Sequence, residues 1–385
     1  MTRISRVLIA NRGEIALRVI QACREMNIET ILAVSEADRL SLPAQMADRA
    51  VCIGPPLPSQ SYLKVDTIMA AAIGTGADAI HPGYGFLAEQ PELAKACAKY
   101  DLAFIGPRAA HIKQMGDKIF ARQVAVDSGI SIIPGSELIA DYRQAARFAE
   151  RTGYPILLKA AAGGGGKGMK IVKTPADLRV AFNEASAEAQ SAFGDERLYL
   201  EHYVENARHV EIQIFGDGRG NVVHLFERDC SLQRRYQKLV EEAPSVDLDS
   251  AMREKVCRAA VKIAAQIKYR NAGTVEFIFD RDQEQFYFLE MNTRIQVEHQ
   301  VTEQITGIDL VKEQFGVAAG NSLSFGQKDV KLAGHAIECR INAESPENNF
   351  LPSPGKIEQW IAPQGDNIRL DSHCFAGYVA VSYTH

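Results

Sequence analysis

Two short runs rich in apolar and aromatic residues, 274–279 and 286–292, flank a polar stretch at 280–284, the pattern of a β-hairpin. If the hairpin centres on Gln283, Glu276 and Glu290 fall opposite one another on one face. Like charges placed directly across a strand pair repel. A divalent cation between them removes the repulsion, and hard oxygen ligands suit Mg2+ or Mn2+. Asn292 falls on the same face and offers a further oxygen. The alternation then continues, with Glu290, Asn292, Arg294, Gln296 and Glu298 set between Met291, Thr293, Ile295 and Val297. A strand with one solvated face alternates in the same way. Such a face rarely carries this many short hydrogen-bonding groups without a lysine, so the run reads as catalytic.

A second candidate is the run Gly163, Gly164, Gly165, Gly166, Lys167 and Gly168. It contains GxGxxG formally, but a dinucleotide fold needs strand, loop and then helix. Here the strand pattern at 156–159 leads through the glycines into another strand pattern at 169–172. A Walker loop fails as well, because Lys167 is followed by Gly168 rather than Ser or Thr. What remains is a hairpin with a glycine tip, whose N–H groups can approach phosphate oxygens without a Cβ in the way. Lys159, on the entering strand, could set an ammonium beside those phosphates. An ordinary turn needs fewer glycines, and ordering this many costs backbone entropy. A hairpin lid over nucleotide phosphates resembles the ATP-grasp superfamily.

The elements that must position these groups fall into distinct stretches. Over the first hundred or so residues, strand and helix patterns alternate: an apolar run at 7–10, an amphipathic stretch at 15–26, strands near 30–34, 77–80 and 103–106, helices near 63–73 and 91–99. This predicts an open parallel α/β, Rossmann-like domain. From about 117 to 320 the strands come as near neighbours, 156–160 with 169–173, 198–203 with 209–215, 220–226, and 274–279 with 285–291. Such hairpins build antiparallel sheets, covered by helices near 176–192 and 250–267. A mixed segment begins near Lys331. The expected domains are therefore 1–116, 117–320 with a lid at about 133–204, and 331–385.

Composition narrows the function. The 385 residues are 46% hydrophobic with a net charge of −5, enough for a large core and unsuited to a phosphate-backbone partner. The seven cysteines are scattered without a CxxC pair, which predicts reduced thiols, no zinc site and a cytoplasmic protein. No apolar run approaches membrane-spanning length.

Several strings together resemble one family, biotin carboxylase, the ATP-grasp component of biotin-dependent carboxylases. They include Ile-Ala-Asn-Arg-Gly-Glu-Ile-Ala at 9–16, His-Pro-Gly-Tyr-Gly-Phe-Leu at 81–87, Met-Gly-Asp-Lys at 115–118 and the glycine loop. Further strings are Arg-His-Val-Glu-Ile-Gln at 208–213, Glu-Arg-Asp-Cys-Ser at 227–231, Glu-Met-Asn-Thr-Arg-Ile-Gln-Val-Glu-His at 290–299, Glu-Cys-Arg-Ile-Asn-Ala-Glu at 338–344 and Leu-Pro-Ser-Pro-Gly at 351–355. The likeness runs from about residue 3 to residue 378. It implies that ATP and bicarbonate form carboxyphosphate, and that the carboxyl group then passes to N1′ of biotin on a carrier protein, the first half-reaction of an acetyl-CoA or related carboxylase.

By the same resemblance, Lys118, Lys159, Gly165, Gly166, His209 and Gln233 hold the nucleotide, with Glu201 and Val204 at the adenine. Glu276, Glu290 and Asn292 hold two Mg2+ or Mn2+ ions. Lys238, Arg294, Gln296, Val297 and Arg340 form the bicarbonate site, and Glu298 is the base. Implied partners are a biotin carboxyl carrier protein, carboxyltransferase subunits and, for the full-length family, a second copy of the chain. Tyr236 stands where many members have His, and Gln300 where Pro is usual. The family continues beyond the position of Tyr378 with further strands and helices, so the third domain is expected to be incomplete and the carboxylation weak. The alternatives are a chain that binds nucleotide without turnover, or another ATP-grasp carboxylate ligase.

Overall fold

Val7, Leu8 and Ile9 are wholly buried on both sides, which explains why β1 (Arg6–Ile9) reads as a continuous apolar run rather than an alternating one. The structure, a computed structural model, describes residues 3–139, 141–161 and 169–380. β1 is the centre of a five-stranded parallel sheet with β2 (Glu29–Val34), β3 (Arg49–Cys52), β4 (Ala79–His81) and β5 (Ala103–Phe104), in the order β3-β2-β1-β4-β5. The helix Gly13–Glu25 covers one face through Ile15, Ala16, Val19 and Ile20. Helices Val65–Thr75 and Pro91–Lys99 cover the other. Strand order reverses between β1 and β4, and such a switch point opens a crevice at the strands' carboxyl ends. Asn11 bridges it: its Nδ2 donates to the carbonyls of Pro82 and Tyr84, each at 2.7 Å.

A three-stranded sheet follows, with β6 (Ile156–Ala160) between β7 (Met169–Val172) and β8 (Leu198–His202). The hairpin expected between 198–203 and 209–215 does not form, because β8 pairs with β6 instead. Six further strands make one large sheet: β9 (Ala207–Asp217), β10 (Val222–Arg234), β11 (Gln237–Ala243), β12 (Arg270–Asp280), β13 (Gln285–Asn292) and β14 (Ala336–Cys339). Their order is β13-β12-β9-β10-β11-β14, all antiparallel. β14, from the segment that begins near Lys331, is thus the edge strand of this sheet.

One face of the large sheet is apolar. Val210, Ile212, Ile214, Val275, Phe277 and Phe288 pack there against the helix Ser250–Gln266. The intervening positions of β9, His209, Glu211 and Gln213, point to the opposite face, by the period of two. Two bulges set the register of that face. In β10, Leu225 and Phe226 together stand against Gln213 alone, and Phe226 takes a φ of 66°, as bulged residues do. In β13, Phe277 faces Phe288 but Glu276 faces Glu290, so Leu289 is extra. As a result Arg228, Glu211, Glu276 and Glu290 stand in register on β10, β9, β12 and β13. Without the bulges, Glu227 would face Glu211 and Leu289 would face Glu276.

The alternation read from 290 to 298 is not one long strand. β13 ends at Asn292, and after an irregular stretch the helix His299–Thr306 begins. Gln300 lies in its first turn. Among the described residues no helix is long and apolar enough to cross a membrane.

Gly216 tests the close packing around β9. A Cβ there would meet the Tyr269 carbonyl oxygen at 2.2 Å, a backbone atom that cannot swing away. Gly216→Ala is expected to lower the unfolding free energy by roughly 1–3 kcal/mol, measured by urea denaturation. An unchanged midpoint would show that this approach does not constrain β9.

Candidate functional site

The polar face of the large sheet, the loops after β1 and β4, and the three-stranded sheet enclose a cavity of about 2490 Å³. Within it, Glu276 is almost wholly buried yet has four partners. Its Oε1 accepts hydrogen bonds from Lys238 Nζ (3.0 Å), Asn292 Nδ2 (2.8 Å) and Gln296 Nε2 (3.0 Å). His209 Nε2 lies 2.8 Å from Oε2. Lys238 extends from β11 and also donates to Glu211 and, at 2.7 Å, to Glu298 Oε1. Arg340 takes the other oxygen of Glu298 at 2.8 Å and binds Glu241 Oε1 at 2.6 Å. Glu298 is therefore held between two cations, one on β11 and one just beyond β14.

Behind this layer lies Arg228, with no solvent exposure. It donates to Glu211 (2.5 Å), Gln213 (2.7 Å), Thr302 (2.9 Å), Thr274 (3.1 Å) and Gln296 Oε1 (2.7 Å). The last bond fixes the Gln296 amide so that its Nε2 faces Glu276.

The two facing carboxylates titrate in opposite directions. Burial alone would raise Glu276, but Lys238 and His209 outweigh it and hold Glu276 well below the ordinary carboxylate range. Burial and then the neighbouring Glu276 push Glu290 up, only partly opposed by Lys118. Burial would lower His209, and the Glu276 charge beside it wins and raises it. Glu276 and Glu290 in register, with Asn292 beside them, are an all-oxygen donor set whose mutual repulsion calls for a cation. The set fits a hard divalent ion.

Of the residues singled out from sequence, Lys118, Lys159, Glu201, Val204, His209, Gln233, Lys238, Glu276, Glu290, Asn292, Arg294, Gln296, Val297, Glu298 and Arg340 all line this cavity. Gly165 and Gly166 lie outside the described residues. Glu201 is committed to Arg122, at 2.5 Å, and to Lys159. Arg294 binds Glu89 at 2.8 Å and Asn292 Oδ1 at 3.1 Å. Tyr236 lines the cavity too; with Arg235 it forms the two-residue turn of the β10–β11 hairpin, at φ of 62° and 54°.

Sequence reasoning gave no role to Glu211, Arg228, Glu241 or Glu89, although the first two fall in strings that carry the resemblance. For Glu211 a signal was present: Val210, Glu211, Ile212, Gln213 and Ile214 alternate as strictly as 290–298.

Comparison with known proteins agrees with this geometry. Residues 3–112 match the model for the biotin carboxylase N-terminal domain, 117–325 that for the carbamoyl-phosphate synthase L chain ATP-binding domain, and 338–384 that for the biotin carboxylase C-terminal domain. The chain is 52% identical over 381 residues to Biotin carboxylase 1 of Bacillus subtilis, covering 99% of this chain and 85% of that one. The chain belongs to the biotin carboxylase family. A biotin carboxylase crystal structure from Campylobacter jejuni, a β-γ-ATP complex, superposes with a TM-score of 0.94 at 48% identity, over 98% of this chain and 84% of that one. The biotin carboxylase domain dimer of Hydrogenobacter thermophilus 2-oxoglutarate carboxylase, in complex with MgADP, ADP and bicarbonate, gives 0.94 at 47% identity, over 100% and 84%.

Removing the buried guanidinium would leave Glu211 facing Glu276 with one cation fewer. Arg228→Met is expected to destabilise the fold by about 3–5 kcal/mol, read from chemical denaturation. A loss below 1 kcal/mol would mean that Lys238 alone balances Glu211.

Proposed function

We propose that this chain catalyses the ATP- and bicarbonate-dependent carboxylation of biotin presented on a carrier protein. The observation that carries the assignment of roles is the setting of Glu298, clamped by Lys238 and Arg340 in the same cavity as the facing pair Glu276 and Glu290. In this reading Glu298 accepts the proton of bicarbonate. The freed oxygen attacks the γ-phosphorus of ATP, the bond to the bridging oxygen breaks, and ADP leaves. Carboxyphosphate then divides into CO2 and phosphate, and phosphate removes the N1′ proton of biotin as N1′ bonds to the CO2 carbon. Arg294, fixed by Glu89, stabilises the charge on the ureido oxygen, and guanidinium forks suit planar anions of this kind.

Glu276, Glu290 and Asn292 would hold the divalent cations, which when bound neutralise phosphate charge that would otherwise repel the anionic nucleophile. Lys118, Lys159, His209 and Gln233 are assigned to the nucleotide, Glu201 and Val204 to its adenine end, and Gln296, Val297 and Arg340 to bicarbonate. The MgADP, ADP and bicarbonate in the Hydrogenobacter complex support a nucleotide, magnesium and bicarbonate as the ligands of this cavity. That protein's dimer supports a second copy of this chain as a partner, alongside carrier and carboxyltransferase components. All seven cysteines are free thiols, consistent with the reducing cytoplasm. Acetyl-CoA is the final acceptor proposed, although the partner rather than this chain makes that choice. No observation favours a different carboxylate substrate or a chain without turnover.

ADP release should depend on bicarbonate and rise when free biotin is added. Glu298→Gln is expected to lower turnover by roughly 10²–10⁴-fold while nucleotide affinity, read by fluorescence titration, stays within a factor of about two of wild type. Bicarbonate-dependent turnover that survives in Glu298→Gln would remove Glu298 as the base.

A further inference from the structure

Beside the site just assigned lies a second pair of facing acids that the mechanism does not use. Glu241 on β11 and Glu338 on β14 are directly opposed in the strand register, so their side chains share a face. Glu241 is wholly buried, and Glu338 lines the cavity. Each has one carboxylate oxygen, Oε2 in both, that is buried and that no N–H or O–H reaches. A buried acceptor without a donor is rare in a folded protein. Two of them, on carboxylates set face to face, supply what is missing if one carboxyl group carries a proton and donates to the other.

The surrounding charges point the same way. Arg340, two residues beyond Glu338, spends Nε on Glu241 and Nη2 on Glu298. The other ionisable groups that act on the pair are Glu298, before the helix His299–Thr306, Glu211 on β9, Arg228 on β10, and Tyr84 in the loop after β4. Burial, then the acids Glu241 and Glu298, push Glu338 up to about 9. Burial also lifts Glu241, to about 7, against the pull of Arg340.

We propose that Glu241 and Glu338 share a single proton and together act as a positioning pair for Arg340. With one proton the pair carries a single negative charge, and Arg340 can serve Glu298 and an incoming anion. With none, a second negative charge stands beside the guanidinium, draws it toward β11 and repels bicarbonate.

The sign of the pH effect follows. Glu338 is protonated below about 9 and loses its proton above it, so anion binding is intact at neutral pH and weakens as pH rises through that value. The test is Glu338→Gln, whose amide keeps a neutral donor facing Glu241 but has no proton to lose. In wild type, KM for bicarbonate should climb by roughly tenfold per pH unit above that point relative to the variant, with KM for ATP unaffected. The kinetic arm rests on bicarbonate being the substrate; a second arm does not. Infrared spectra at neutral pH should show a protonated-carboxyl stretch in wild type that is missing in Glu338→Gln. Absence of that band in wild type, or an alkaline rise in KM of equal size in the variant, overturns the proposal. A shared band with no bicarbonate dependence of ADP release would instead count against the assigned substrate and leave the pair standing.

Discussion

A row of acids cannot be laid across a sheet and buried without cations to match, and the centre of this protein is organised by that constraint. Glu211, Glu276 and Glu290 are successive neighbours on three strands. Arg228 closes one end of the row, and Lys238 reaches over the middle to touch Glu211 and Glu276. Glu290, at the far end, has only partial compensation, and it is the acid pushed up rather than down. The imbalance is greatest where a metal-bound nucleotide is assigned. A bound cation there would offset the repulsion at Glu290 that Lys118 and His209 relieve only in part.

The same reasoning explains why Lys238 and Arg340 are both needed at Glu298. A lysine offers a compact charge that can serve several oxygens at once, whereas an arginine holds a fixed fork. Lys238 indeed spans three carboxylates, and Arg340 joins Glu298 to Glu241. Glu298 is thereby fixed from two directions, by one residue on β11 and one just beyond the adjacent β14.

Much of this was legible in the chain itself. The apolar run at β1, the hairpin carrying Glu276 and Glu290, and the polar alternation after Glu290 all reflect local periodicity. What was not legible has a common cause. The bulges at Phe226 and Leu289 shift register by one residue, and nothing in local pattern announces a single extra residue. Centring the hairpin on Gln283 placed the two glutamates correctly only because Leu289 is extra. The pairing of β8 with β6 rather than β9 joins strands distant in sequence, which periodicity does not report. Arg228 was hidden differently: between Glu227 and Asp229 it reads as one member of an exposed charged run until the acids around it are known. The alternation from 290 to 298 has the period of a strand, yet past Asn292 the chain runs through an irregular stretch into a helix while its polar groups still converge on one cavity.

The edge position of β14 has a further consequence. Its four residues, Ala336–Cys339, are joined to the sheet along one side only, by β11, and Arg340 follows directly, its backbone N–H bonded to Leu239 O at 2.9 Å. Edge strands are among the first parts of a sheet to open. Each such opening would carry away the guanidinium that steadies Glu298, while Glu211 and Glu276, on the interior strands β9 and β12, stayed in place. The clamp on Glu298 is therefore separable from the row of acids behind it, and fraying of one short ribbon divides them.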